Sequence, residues 1–386
     1  MNLDHPVSGH TPEQAIAKLA QARNQLRALA ACLPADGWLG PRDPDLNPPL
    51  WELGHIVWFQ ERWCLRARAD GSFADSLLPG ADALYDSSAV PHDTRWDLAL
   101  LQPAALDAYA EQVTAAVSAR LRSAFTPALA YRAELSLYHE LMHIEAWWMA
   151  FQHLGYAPPV ALTLPDDLPL LAQRLAFAEA EVAMGSTARE GFIFDNEKWR
   201  HSLRVPAFDI DATLVTEAAF AAFVDAGGYQ HRAAWSEAGW DWRMASGANH
   251  PLYWRKTDDG WQVRRFAQWT PLRAAAPMLH VNCFEAEACA AWLGRRLPSA
   301  AEWQHATESA GFDWGAGWEW TRDAFTPYPG FVADPYRDYS QPWFHTHQEL
   351  RGGGPVTDVQ LKRPGFRNFY LPHRRDAFAG FRTAGG

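Results

Sequence analysis

The sequence predicts an α+β chain: a helical bundle, followed by a domain of short strands, short helices and long irregular segments. Three observations predict it. Four long apolar-periodic runs fall before residue 155, separated by stretches marked by proline. A Pro-rich connector, Pro158 to Asp167, then ends that pattern. Beyond it, glycine turns, tryptophans and brief strand-like runs replace the long helices. A chain of 386 residues exceeds one ordinary core, so two domains are expected, residues 1–165 and 166–386.

The elements follow in order. Thr11 is an N-cap with Pro12 at the first helical position and Gln14 where a capping box needs it, and the run through Ile16, Leu19, Leu26 and Leu29 stops at Pro34. A Pro-rich loop, Pro41 to Pro49, leads into a second helix from about Leu50 to Arg68. An irregular stretch from Gly71 to Leu101 precedes a third helix, about Pro103 to Ser123, and a fourth, about Pro127 to His153. Four long amphipathic helices read as a four-helix bundle. In the second half, Val182 to Arg189 and Leu203 to Ile210 read as strands, and Thr216 to Ala226 and Phe284 to Leu293 as short helices. The remainder reads as irregular, and irregular chain of that length is usually functional.

Composition narrows the classes of function. The net charge of −11 disfavours nucleic acid or an anionic membrane as partner, because no basic stripe offsets it. No uncharged apolar run is long enough to span a bilayer, and the start has neither the basic nor the apolar region of a signal peptide. Cys32, Cys64, Cys283 and Cys289 form no CxxC pair, which points to a reducing, cytoplasmic compartment rather than a disulfide scaffold. Twenty tryptophans suit deep pockets or cation–π boxes, with core filling as the plainer role.

The most informative segment is His139-Glu140-Leu141-Met142-His143, within the fourth helix. Histidines four apart project from one helical face, so both imidazoles can reach one metal ion. His55 lies on the second helix in Trp51-Glu52-Leu53-Gly54-His55, on a face shared with Trp58 and Phe59. In a bundle it is either a packed core histidine or the third ligand of an open metal site. Glu145 is a candidate to orient a ligand. The same segment fits the H-E-x-x-H pattern of zinc hydrolases, with Glu140 as base. Against that reading, no further H-x-x-G-x-x-H extension follows, and the helix belongs to a bundle rather than lying beside an edge strand.

Taken together, the Trp51-to-Gln60 segment and the His139-x-x-x-His143-x-Glu145 segment resemble the DinB-like N-terminal bundle of ergothioneine-type synthases. The second half resembles the formylglycine-generating-enzyme fold, a variant of the C-type lectin fold. Its matching residues are Met184-Gly185-Ser186, Phe194-Asp195-Asn196-Glu197, Trp292 to Trp303, Trp318-Glu319-Trp320-Thr321, Tyr328-Pro329-Gly330-Phe331 and Gly380-Phe381-Arg382. The resemblance covers nearly the whole chain. It implies a mononuclear non-heme iron(II) enzyme that takes dioxygen as co-substrate and joins a sulfur nucleophile to the imidazole of hercynine, the trimethylated betaine of histidine. It also implies that His55, His139 and His143 hold the iron, and that Tyr339 takes part in the oxygen chemistry ahead of Tyr336 and Tyr328.

Two departures bear on the donor. Sulfur-transferring relatives carry an arginine cluster after the second helix that grips donor carboxylates, whereas Tyr85 to Trp96 here retains Arg95 as its one arginine. Met142 stands where those relatives have a glutamine before the last iron histidine. The ending, Gly365 to Tyr370 followed by Phe378 to Arg382, is more similar to the selenoneine synthases, which transfer selenium from a selenosugar. A sugar offers hydroxyls rather than several carboxylates, in keeping with the missing arginines. The resemblance therefore implies small-molecule substrates, namely hercynine with a selenosugar or, as the alternative, a thiol donor (cysteine or γ-glutamylcysteine). It places Arg95, Asn368, Arg375, Asp376 and Phe378 as candidate substrate contacts. Formylglycine-generating chemistry itself needs late cysteines, and none follows Cys289. A non-catalytic glycan-binding module is a further alternative for the second half.

Overall fold

A computed structural model of the protein describes residues 7–158 and 167–386. It is α+β and divides into two compact units. The first runs to Phe151 and includes Ala188–Ile193; the second includes Gln152–Gly155 and Phe194–Gly386. Most of the Pro-rich connector, and the expected domain boundary with it, lies outside the described residues.

The first unit is built on α1 (Pro12–Ala30), α2 (Pro49–Glu61), a short α3 (Ala81–Tyr85), α4 (Pro103–Ser123) and α5 (Pro127–Leu154), whose last residues, from Gln152 on, fall to the second unit. At the start of α1, Thr11 Oγ1 accepts from the Gln14 N–H at 3.2 Å while Gln14 Oε1 accepts from the Thr11 N–H at 2.8 Å, the reciprocal box its sequence predicts. The second helix departs from expectation. Its α-helical part ends at Glu61 and it widens into one π turn, Arg62–Arg66. Side chains tie that turn down: Arg66 forks onto both oxygens of Asp82 at 2.8 Å, and Glu61 accepts from Ser76 and the Leu77 N–H. The hydrogen bond from Arg66 holds the Asp82 carboxyl down at about 2. Every residue of α2 is buried, so no polar face orients it and neighbours surround it.

The second unit contains twelve strands among the described residues: β1 (Arg174–Phe177), β2 (Ala180–Met184), β3 (His201–Val205), β4 (Phe208–Asp211), β5 (Trp254–Thr257), β6 (Gly260–Arg265), β7 (Gln268–Pro271), β8 (Gly317–Ala324), β9 (Gln348–Gly353), β10 (Asn368–Tyr370), β11 (Ala379–Gly380) and β12 (Ala384–Gly385). They form a four-stranded sheet in the order β10-β9-β8-β11, a three-stranded sheet β1-β4-β12, a hairpin β2-β3 and a meander β5-β6-β7. Helices α6 (Glu217–Asp225), α7 (Glu237–Ser246), α8 (Cys283–Trp292) and α9 (Ala300–Ala306) complete the unit. A core of Met184, Val205, Phe208, Ile210, Trp303 and Phe312 packs between α9 and the strands. The stretch Leu203 to Ile210, expected as one strand, is two, broken at Pro206, which has no N–H for a ladder. The meander, α7 and α9 were expected as irregular chain.

Several of the motifs in this unit are structural. Ser299 caps α9 and Glu302 completes its capping box, while Arg296 forks onto Glu302 at 2.8 Å. Arg382 is fully buried and donates to both oxygens of Glu319 and to the carbonyls of Asp211, Ala212 and Asp313. Gly380 admits no side chain, because a Cβ there would lie 2.1 Å from the Met278 carbonyl oxygen. Cys32, Cys64, Cys283 and Cys289 are free thiols. No described helix is long and apolar enough to cross a membrane.

Candidate metal centre

Three imidazoles converge in the first unit. His55 comes from α2, and His139 and His143 from successive turns of α5. One nitrogen from each lies within 4.8 Å of the others, and the Nε2 atoms of His55 and His139 are 3.2 Å apart. His55 and His139 are buried, and His143 is half-buried. Burial, followed by the facing His143, pushes both buried imidazoles well below the usual histidine range. They are therefore neutral at pH 7, the form that ligates a metal.

Neighbours fix the rings. His55 Nδ1 lies 2.7 Å from the Tyr85 carbonyl oxygen, which accepts its proton. His143 Nδ1 lies 2.5 Å from Glu52 Oε1. Both contacts assign the proton to Nδ1 and leave Nε2 as the ligating atom. Trp51 stacks on His55 (centroids 5.0 Å apart, planes 7° apart), and Phe59 stacks on His139 (3.6 Å, 3°). The donor set fits a divalent metal. Nitrogens bound at about 2.1 Å with near-right-angle separation stand about 3 Å from one another, close to the spacing of the two Nε2 atoms. A facial set of three imidazoles leaves positions open for reactants.

Glu52 and the Tyr85 carbonyl were missed by sequence reading. Glu52 carried a signal: an acid one turn before His55, inside the apolar run Leu50 to Phe59. Glu52 holds His143. Replacing Glu52 by alanine is expected to weaken metal binding by about 10–100-fold, read by metal titration, since partners of ligands typically contribute that much. Gly54 has a matching logic. A Cβ there would lie 2.1 Å from Tyr85 Cε1. Alanine would ordinarily favour a helix by about 1 kcal/mol. At this position it must displace the residue whose carbonyl holds His55, so Gly54→Ala is expected to destabilise by about 1–3 kcal/mol and to lower metal affinity, checked by thermal melting and titration.

The other expected residues take different places. Glu140 is fully buried and forks with Arg23 (Nε to Oε1 2.6 Å, Nη2 to Oε2 3.0 Å), so the candidate hydrolytic base is tied to α1. Arg95 is buried with its guanidinium 3.8 Å from the Trp51 ring, donating to Asn47 Oδ1 at 2.6 Å and to the Val90 carbonyl at 3.3 Å. The remaining candidates belong to the second unit. Tyr339 is buried and stacked on Phe194 at 3.9 Å. Asn368 opens β10, and its side-chain oxygen accepts from the Phe369 N–H. Arg375 donates to both oxygens of Glu285 and to the His250 carbonyl. Asp376 is forked by Arg374. Phe378 is buried beside His280, in the wall of a cavity it shares with Tyr253, Arg264 and Phe266.

Two family models match the chain: the DinB superfamily over residues 18–155 and the sulfatase-modifying factor enzyme 1-like domain over residues 171–317. The hercynine oxygenase of Mycobacterium tuberculosis is 32% identical over 425 residues, covering 97% of this chain and 99% of its own. The chain belongs to the hercynine oxygenase family. The hercynine oxygenase of Mycolicibacterium thermoresistibile is also 32% identical, over 89% of this chain and 88% of its own. The formylglycine-generating enzyme of Streptomyces coelicolor is 35% identical over a shorter stretch, 33% of this chain and 44% of that enzyme. Hercynine oxygenases thus match both units, whereas that match covers a third of the chain.

Proposed function

We propose that this chain is a mononuclear iron(II) enzyme that uses dioxygen to join a chalcogen to the imidazole carbon of hercynine, with a selenosugar as the preferred donor. The single observation that carries the reading is the three-imidazole cluster of His55, His139 and His143 in a chain that aligns end to end with hercynine oxygenases. These side chains would hold the metal, with Glu52 and the Tyr85 carbonyl keeping Nε2 of His143 and of His55 free of protons. When bound, iron supplies the redox chemistry that couples dioxygen to carbon–chalcogen bond formation. Tyr339 is the proposed proton source. Burial, with Glu197 and Asp195 nearby, raises its phenol well above the usual tyrosine range, so the proton stays on Oη at pH 7. Asn368 is the proposed substrate contact of the C-terminal segment, with Arg375 and Asp376 anchoring that segment through Glu285 and Arg374.

The donor preference rests on Arg95 being the one arginine between Tyr85 and Trp96. Its Nη1 serves Asn47 and its Nη2 serves Val90, which leaves Nε, and one guanidinium meets fewer carboxylates than a cluster of arginines would. The zinc-hydrolase reading is disfavoured by the Glu140–Arg23 fork.

The test is anaerobic protein loaded with Fe(II), given hercynine with a selenosugar and, in parallel, with cysteine, then opened to air. A selenium conjugate by mass spectrometry, with kcat/KM at least about tenfold above that for cysteine, is the expected result. Preference for cysteine moves the enzyme to the sulfur branch, and no conjugate from either donor overturns the reading. Tyr339→Phe is expected to keep its iron and to change the rate or the product. Unchanged kinetics would remove Tyr339 from the mechanism.

A further inference from the structure

The cavity beside Phe378 belongs wholly to the second unit and shares no lining residue with the histidine cluster, Tyr339 or Asn368. Three features of its wall have no part in the chemistry above.

The first is backbone strain. Three non-glycine residues among those described have clearly positive φ, and two of them, Phe266 (53°) and His280 (61°), line this cavity. Left-handed backbone is unfavourable for residues with a Cβ and concentrates where ligands are gripped.

The second is the state of His280. Its ring lies 4.5 Å from Phe378 and edge-on to Tyr253 at 5.0 Å. Burial pushes it down to about 4, so it is neutral at pH 7. Nδ1 meets the Asp376 carbonyl oxygen at 3.2 Å, which assigns the proton there and leaves Nε2 as an acceptor.

The third is charge. Arg264, Arg265 and Arg273 line the cavity against one acid, Glu217. Glu217 is already engaged, pairing with Arg265 at 2.5 Å and accepting from the Arg273 N–H at 2.8 Å. Arg264 has carbonyl partners: Gln152 at 2.8 Å, His153 at 3.0 Å and Phe266 at 3.1 Å. The first two belong to the last turn of α5, whose dipole supplies only part of a negative charge. Among the described residues no carboxylate lies within ion-pair distance of Arg264, and burial lowers its affinity for its proton. An anion entering the cavity would supply what the wall lacks.

We propose that this cavity binds a small aromatic anion, its carboxylate against Arg264, its ring among Phe266, Tyr253 and Phe378, and a ring hydroxyl or N–H donated to His280 Nε2. The proposal does not depend on the iron chemistry.

The experiment is calorimetric titration of the full chain with 4-hydroxybenzoate, with 4-hydroxybenzamide as the uncharged isostere. Saturable binding of the acid is expected, at least about tenfold tighter than the amide, the size of one charge-assisted hydrogen bond. Arg264→Gln is expected to remove that preference. His280→Gly relieves the left-handed backbone, so the fold and melting temperature are kept while affinity falls about tenfold or more. His139→Ala serves as control and binds the acid as the native chain does. Equal affinity for acid and amide, undiminished binding by His280→Gly, no saturable binding at millimolar acid, or binding lost in His139→Ala (which would place the probe at the metal centre) overturns the proposal.

Discussion

His139→Ala is expected to purify without iron and to be inactive. The side chain is buried, its ring lies flat on Phe59, and its Nε2 stands 3.2 Å from that of His55. Alanine leaves two imidazoles, on separate helices, with an apolar gap where the third stood. Loss of a ligand partner alone costs about 10–100-fold in affinity, so loss of a ligand is expected to cost at least about a hundredfold. Metal content after gel filtration reads this directly: near one iron per chain in the native protein and near none in the variant. The fold should persist, because the contacts that hold α5 to its neighbours, Glu140 with Arg23 and Ser136 with Cys64, are untouched. Native iron content in the variant would remove His139 from the centre.

Arg382→Leu is expected to destabilise the second unit by about 3–5 kcal/mol, the usual penalty for leaving one member of a buried ion pair uncompensated. Both Arg382 and Glu319 are completely buried. The guanidinium also serves the carbonyls of Asp211, Ala212 and Asp313, and lies 3.9 Å from the Phe312 ring. Arg382→Lys should rescue little, because one ammonium cannot serve five acceptors fixed in a fork. Denaturant unfolding followed by tryptophan fluorescence measures the loss. A change within about 0.5 kcal/mol, as for an ordinary surface position, would contradict this view of the motif.

What the sequence made legible follows from how local each signal is. The capping box at Thr11 and Gln14, and the proline starts of α4 and α5, are decided within a few residues, and the helices begin where those residues place them. The pairing of His139 with His143 is local in the same way, one turn of a single helix. His55 is different: spacing left it either packed or ligating, and its position beside the other two depends on helix packing that no short segment encodes. Glu52 was hidden for a related reason. Its role is to reach across to His143, and only the assembled helices show that reach. In the second unit, α7 and the meander β5-β6-β7 were read as irregular because polar and aromatic residues alternate there without a clean period. Arg375 and Asp376 look like free charges in sequence, and their partners Glu285 and Arg374 appear only with the fold.

X-ray absorption at the iron edge of the Fe(II)-loaded protein counts the imidazoles bound to the metal. One iron per chain bound by three imidazoles is expected, falling to two in His55→Ala. A first shell with fewer than three imidazoles in the native protein, or one unchanged by His55→Ala, would contradict it.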